Sequence, residues 1–210
     1  MSIKIENVDV FGWEASIRGL RSPMNSWEKS DSDTHIALVG DIGQNDLELM
    51  KRLVKAGSDH SKFMRMINVT LDITAPLYWW AEYDTYKADT VRNSCSTMHK
   101  ITEKEFTLDD FSVEKNYFYE DIDVYLHDMF ITVIEDCEML RKKFVETGDY
   151  RYWRGLIQLL PESYNQRATA QLNYAVLRNM YHSRKNHKLD EWAQFCKWIE
   201  QLPYSELITM

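Results

Sequence analysis

Residues 67–86, INVTLDITAPLYWWAEYDTY, decide the fold of this chain. Ile67, Val69, Leu71 and Ile73 alternate with Asn68, Thr70, Asp72 and Thr74. A period of two places the four aliphatics on one face, so a strand with one buried and one polar face is predicted. Ala75-Pro76 ends it. Residues 77–86 are rich in aromatics and read as a helix, because Pro76 suits a first helical position.

Working outward, residues 3–11 alternate apolar and polar and read as a second strand. Residues 13–20 read as a short helix stopped by Ser22-Pro23. Residues 25–33 are Ser/Asp-rich and read as a loop. A helix is predicted over 46–56, with Leu47, Met50, Leu53 and Val54 on one face and Gly57 just past its end. Toward the C-terminus, Ile122, Leu126, Met129, Val133, Cys137, Leu140 and Phe144 step by three or four, which predicts a long helix over 118–147. In that stripe Cys137 reads as an inert core thiol, and Gly148 ends the helix. Further helices are predicted over 152–160, closed by Pro161, and over 166–183 and 189–201. The order, strands early and helices late, is that of an α+β fold. No repeat or low-complexity segment is visible, so one domain over 1–210 is expected.

Composition narrows the function. The 210 residues are 44% hydrophobic and carry a formal net charge of −8. An acidic chain lacks the basic surface that phosphate backbones require, so no nucleic-acid partner is expected. A small anion held in a local basic pocket remains compatible. No apolar run nears the roughly 20 residues of a membrane span, and Met1-Ser2-Ile3-Lys4 does not start a signal peptide. The cysteines, Cys95, Cys137 and Cys196, are odd in number and widely spaced, which fits a reduced, cytoplasmic compartment. Seven Trp and twelve Tyr fit either a large aromatic core or an aromatic-walled pocket or interface.

Two stretches carry a family resemblance. Residues 57–99 read GSDHSKFMRMINVTLDITAPLYWWAEYDTYKADTVRNSCSTMH. This resembles the flavin-dependent thymidylate synthases, where G-H-x-S/T-P-x-E-H precedes an alternating strand, an A-P step, an aromatic helix and the signature R-H-R-x-x-S-x-N-E-x-S-x-R. His60, the strand and Ala75-Pro76 fall at the family spacing. Residues 160–184, LPESYNQRATAQLNYAVLRNMYHSR, are similar to the family's V-L-P, then Tyr, then N-x-R-x-x-x-N-x-x-x-x-R on a helix. Counted from Pro161, Asn173, Ala175, Asn179 and Arg184 take those four positions, and three match.

The signature itself is rewritten. Counted from Pro76, R-H-R falls on Thr85, Tyr86 and Lys87, and the Gln three residues earlier becomes Glu82. The later Ser, Asn, Glu, Ser and Arg become Thr90, Arg92, Asn93, Cys95 and Thr97. A one-residue slip would instead place Asn93 and Ser96 on the Asn and second Ser, and the sequence does not choose. The family's Arg before V-L-P falls on Ile157, with Arg154 one helical turn earlier as a possible substitute.

The resemblance implies an α+β fold with a small antiparallel sheet, flanking helices and a long helical arm, assembled as a homotetramer. It also implies transfer of methylene from tetrahydrofolate to dUMP, with reduced FAD as hydride source. Arginine suits such ligands because its planar fork grips phosphate bidentately. Thr85 removes that charge, Tyr86 keeps a ring without a cation, and Lys87 keeps a point charge. The positions then expected to touch a flavin are His60, Tyr86, Lys87, Asn173, Asn179 and Arg184. Those expected to touch a nucleotide are Glu82, Arg92, Asn93 and Arg184. Asn173 and Arg184, eleven residues apart on one helix, would point within roughly 20° of each other.

For the reaction itself the residues leave alternatives open. Cys95, activated by His99, or Ser96 are the catalytic candidates. Cys95 equally reads as a small residue packed near a pocket. The pairs His182/His187 and His60/His99 lack partners at ligand spacing, so no metal is expected. Trp79, Trp80 and Tyr83 are either core or a stacking wall. Three functions follow: a nucleotide-modifying flavoenzyme, an inactive homologue that binds or sequesters a nucleotide, and an interaction protein that reuses the fold.

Overall fold

A computed structural model of the protein describes residues 3–33, 41–114, 118–120 and 124–210. Strand β1 (Lys4–Phe11) leads into helix α1 (Trp13–Arg21). Gly12 makes the junction at φ 95°, and a Cβ there would lie 2.0 Å from the Met66 carbonyl oxygen, so only glycine fits. Helix α2 (Gln44–Lys55) and a 3-10 turn (Lys62–Met66) precede strand β2 (Asn68–Pro76) and helix α3 (Leu77–Tyr83). Strand β3 (Val91–Ser94) and the short helix α4 (Thr97–Lys100) follow. A two-residue hairpin, β4 (Phe118–Tyr119) with β5 (Val124–Tyr125), opens into α5 (Leu126–Thr147) and α6 (Tyr150–Leu159). Strand β6 (Asn165–Asn173) and helices α7 (Tyr174–Arg184), α8 (Asp190–Ile199) and α9 (Glu206–Thr209) complete the chain. The fold is α+β: these helices together with a small antiparallel sheet in the order β1-β2-β6-β3.

The strand read first from the sequence behaves as its pattern requires. Ile67, Val69, Leu71 and Ile73 are all at most 1% exposed. Each such side chain stabilises the fold by about 1.5–3 kcal/mol. On the opposite face Asp72 accepts from Asn7 of β1 (2.8 Å) and Thr169 of β6 (2.6 Å), a polar tie across three strands.

By internal contacts the chain divides into two compact units. One comprises Met1–Lys4, Thr74–Tyr83 and Ser94–Ala168. Its core gathers Phe106, Phe111, Ile134, Cys137 and Leu156, with Ile157 packed against it. The Trp79, Trp80 and Tyr83 rings, each at most 1% exposed, meet at centroid distances of 5.0–5.3 Å. That settles them as core. The other comprises Ile5–Ile73, Asp84–Asn93 and Thr169–Met210, with Met50, Met64, Tyr174, Leu177, Trp192, Phe195 and Leu207 among its buried residues. No helix among the described residues is long and apolar enough to cross a membrane.

Several sequence expectations need correcting. The helix predicted over 118–147 starts at Leu126, because aromatic and β-branched residues at its front pair as β4 and β5 instead. Ile122 lies outside the described residues, and Met129 is 52% exposed rather than in the stripe. The buried face of α2 is Asp46, Leu49, Met50 and Val54; Leu47 and Leu53 are only half-buried. Helix α3 ends at Tyr83, three residues early. The largest error is 166–183: residues up to Asn173 are strand, not helix. Gln166, Ala168, Ala170 and Leu172 are buried and alternate with exposed Arg167, Thr169 and Gln171, a period of two hidden by helix-favouring residue types. A strand therefore also comes late in the chain.

Candidate functional site

A cavity of about 1120 Å³ lies within the second unit. Three segments enclose it: the end of α2 with the turn that follows, the loop between α3 and β3, and one face of α7. The α7 contribution obeys helical geometry. Ala175, Arg178, Asn179, His182 and Ser183 line the wall at i, i+3, i+4, i+7 and i+8, which is one face. Tyr174 fixes the phase of that face. Its amide donates to Ile67 O (3.0 Å), its hydroxyl to Pro203 O (2.6 Å), and its ring is fully buried.

The lining is cationic, unlike the chain as a whole. Arg65, Lys87, Arg178 and Arg184 face one carboxylate, Asp89, leaving a formal +3 with His182 neutral. The chain's net charge is −8. A second cavity of about 710 Å³, beside β1 and the end of α8, has Asp9 as its one charged lining residue. The large cavity is thus a local concentration of positive charge in an acidic molecule.

The four cations are held differently. Arg65 Nε is 3.9 Å from Asp89 Oδ2, both well exposed, so this pair contributes little. Lys87 makes no ion pair or hydrogen bond among the described residues. Arg178 donates from Nη1 to Ile208 O at 3.1 Å and also to Met210 O. Burial lowers its pKa from the usual guanidinium value. Arg184 donates from Nε to the Tyr86 hydroxyl at 2.9 Å. Its guanidinium carbon lies 4.9 Å from the Trp192 ring centroid and 5.5 Å from that of Tyr86. His182 Nε2 sits 3.2 Å from Ile208 O.

The sequence-predicted residues divide. Thr85, Tyr86, Lys87, Asn179 and Arg184 line the cavity together. His60 lies in the turn between lining residues Ser58 and Ser61 and does not line it. Asn173 is not helical, and its angular relation to Arg184 fails. It closes β6 and caps α7, accepting from the Val176 amide at 3.0 Å, and is 4% exposed. Its side chain is used by the fold. Glu82 belongs to α3, and Asn93 is an exposed residue of β3. Arg92 is bonded to Asp84 at 2.5 Å. None of these three lines the cavity.

The catalytic candidates are not assembled either. Cys95 is exposed. Its backbone donates to Arg167 O (2.9 Å) and accepts from Gln166 Nε2 (2.7 Å). Ser96 Oγ accepts the His99 amide and caps α4. No hydrogen bond among the described residues joins the Cys95 sulfur to the His99 ring. Arg154 and Ile157 lie on α6 and contribute nothing to the lining. Among the described residues no group of three His, Cys, Asp or Glu is placed to hold a metal ion.

Arg65, Arg178 and Asp89 line the cavity without a sequence expectation, and His182, weighed in the sequence only for metal, lines it as well. Arg178 and His182 share a face with Asn179 at helical spacing, a relation legible in any helix drawn over these residues. Arg65 and Asp89 reach the cavity through tertiary structure and leave no sequence signal.

No protein-family model and no curated protein matches this sequence. Solved structures do. The flavin-dependent thymidylate synthase ThyX of Helicobacter pylori, complexed with FAD and dUMP, matches at a TM-score of 0.70 and 18% identity, over 99% of this chain and 98% of that one. A second structure of that enzyme, also with FAD and dUMP, gives 0.73 and 16%, over 99% and 96%. Likeness at such identity over nearly the whole of both chains shows a common fold.

Proposed function

We propose that this chain is a divergent flavin-dependent thymidylate synthase-like protein that binds FAD, a pyrimidine nucleotide such as dUMP, or both, in the cationic cavity. The observation that carries the proposal is the concentration of Arg65, Lys87, Arg178 and Arg184 around one cavity of an acidic chain. Phosphate-bearing ligands are what such a site favours. The lining fits the anionic part of FAD or dUMP. Lys87 would meet a phosphate as a point charge and Arg184 as a preset guanidinium. Asn179 and Ser183, 3.4 Å apart on α7, add amide and hydroxyl groups to the wall. Bound FAD would supply hydride chemistry, and a methyl-transfer reaction on the pyrimidine would follow the fold relatives. Assembly as a homotetramer in the cytoplasm belongs to the same reading.

A second reading is favoured by particular residues. Arg92 is engaged with Asp84, Thr85 is uncharged, and among the described residues no base is bonded to the Cys95 sulfur. These features support a homologue that binds or sequesters a nucleotide without transforming it. One set of measurements separates the readings. Native mass spectrometry of protein purified from cells reports retained FAD or nucleotide together with subunit number. Thermal shift with FAD and with dUMP follows, then an assay for tetrahydrofolate-dependent conversion of dUMP. Shifts with turnover support the enzyme; shifts without turnover support the binding homologue. No retained ligand, no shift with either compound and no effect of Arg184→Ala would refute both.

A further inference from the structure

We infer that Tyr86 and Trp192 are positioning residues that hold the Arg184 guanidinium as a fixed anion-gripping group, and that Tyr86 makes Arg184 and Lys87 act as one unit. The inference rests on the proposed ligand site and says how that site is preorganised. Arg184 is the last residue of α7, a place where a long side chain would ordinarily sample many rotamers. Here contacts with two aromatic residues restrain it. Nε donates to the Tyr86 hydroxyl at 2.9 Å. The guanidinium carbon lies 5.5 Å from the Tyr86 centroid and 4.9 Å from the Trp192 centroid. The two rings are themselves 6.2 Å apart. Both distances to the cation fall within cation–π range.

The rings differ in what fixes them. Trp192 is fully buried on α8 and packs edge-on against Phe195 at 5.8 Å. It is an immobile wall. Tyr86 lies in the loop between α3 and β3, between Thr85 and Lys87, all three lining the cavity. Its carbonyl accepts the Thr90 hydroxyl at 2.5 Å, and Asp89 in the same loop adopts φ 58°. The hydroxyl bond from Arg184 therefore ties this loop, and Lys87 with it, to the end of α7. Removing that hydroxyl loosens two cations at once. A bound anion then has to order both, and that entropy is charged against its affinity.

The test uses the full-length protein, with dUMP and inorganic pyrophosphate as probes. The Arg184 Nε–H, observed by NMR without ligand, is expected as a protected resonance displaced by the ring currents of Tyr86 and Trp192. In Tyr86→Phe that signal should lose its protection and move toward the bulk arginine envelope, with the Trp192 ring still displacing part of it. Probe affinity should fall about tenfold, the order expected for loss of a hydrogen bond to a charged group, with a thermal midpoint near that of the unaltered protein. Lys87→Ala should then cost less in the Tyr86→Phe background than alone, the non-additivity of coupled residues. Tyr86→His at pH 8, where neutral imidazole still accepts, should recover most of the affinity. Two results would overturn the inference: no displaced Nε–H in the unaltered protein, or Tyr86→Phe binding both probes as tightly as the parent. If neither probe binds the parent, the ligand proposal fails, and the Nε–H signal alone decides whether the clamp exists.

Discussion

Replacing Asp46 with alanine should cost this fold about 4 kcal/mol. Asp46 is fully buried near the start of α2, and its partner Arg21 is 4% exposed. The carboxylate accepts from Arg21 Nε, Ser30 Oγ and Ser32 Oγ, each at 2.6 Å. Among the described residues, Asp46→Ala leaves the buried guanidinium with the Ser26 carbonyl, at 3.4 Å, as its one acceptor. Breaking a buried pair from one side costs about 3–5 kcal/mol, because the remaining charge stays buried without a counter-charge. Against a total stability of about 5–15 kcal/mol, the loss should lower the melting midpoint by about 8–16 °C, at about 2–4 °C per kcal/mol for a chain of this size. Urea unfolding gives the free energy, and the double variant Arg21→Met/Asp46→Leu gives the control. With both charges gone it should be more stable than Asp46→Ala. Acid should reproduce part of the loss. Burial alone would raise the Asp46 pKa, but bonds from Ser30, Ser32 and Arg21 and the Arg21 charge outweigh it, and the net shift is downward. The folded state thus binds this proton more weakly than the unfolded chain. Its stabilisation is full above the ordinary carboxylate pKa of about 3.9 and drains away as the pH falls through the lower folded value. A loss under about 1 kcal/mol for Asp46→Ala, or a double variant weaker than the single one, would refute this reasoning.

Three further outcomes are expected. Lys87→Ala and Arg184→Ala should each weaken dUMP binding by about tenfold or more while Arg92→Ala, whose charge is engaged with Asp84, leaves it within about twofold; calorimetry at low salt measures all three. Asn173→Ala should lower stability by about 1 kcal/mol, the ordinary value of a lost N-cap, and Asn173→Ser should restore most of it in thermal unfolding. A thiol reagent at neutral pH should label one cysteine per native chain. Cys95 is exposed, whereas Cys137 and Cys196 are buried with their thiols pushed up to about 11 by burial, and thiolate is the reactive form; labelling of all three without unfolding would contradict the burial.

What the sequence disclosed depended on whether local pattern and residue type agreed. In β2 they did: β-branched and aliphatic residues occupy every second position, and the strand was legible. In β6 they did not. Gln166, Ala168 and Ala170 alternate as a strand requires, but Gln, Arg, Ala and Leu favour helix when read alone. Pairing with β2 and β3 in the sheet decides their state, and that is tertiary information. The site shows the same division. Lys87, Tyr86, Asn179 and Arg184 were found by resemblance and share a cavity. Arg178 and His182 lie on the same helical face as Asn179, and only the turn and loop packed opposite make that face a cavity wall rather than solvated surface. Arg65 comes from a turn far along the chain and could not be read at all.

The two kinds of interaction a nucleotide site needs differ in how strictly they fix residue position. Attraction of phosphate is a field effect. It falls slowly with distance and is satisfied by any set of cations around the same space. Hydrogen-bonded reading of a ring is not; it fails when a donor moves by an ångström. In this chain the cations are dispersed over a turn, a loop and a helix, at Arg65, Lys87, Arg178 and Arg184, and still converge on one cavity. The polar residues that a signature motif would align for ring recognition, Glu82, Arg92 and Asn93, lie outside its lining. A motif fixes positions and misses such a site, whereas the electrostatic character needs only that the cations converge. The consequence is graded: affinity for phosphate-bearing ligands should be broad and salt-sensitive, and discrimination between dUMP and other nucleoside monophosphates should be weak. Equal competition of dUMP and AMP for the cavity supports that reasoning, and a hundredfold preference for dUMP would mean that ring recognition has been rebuilt on other residues.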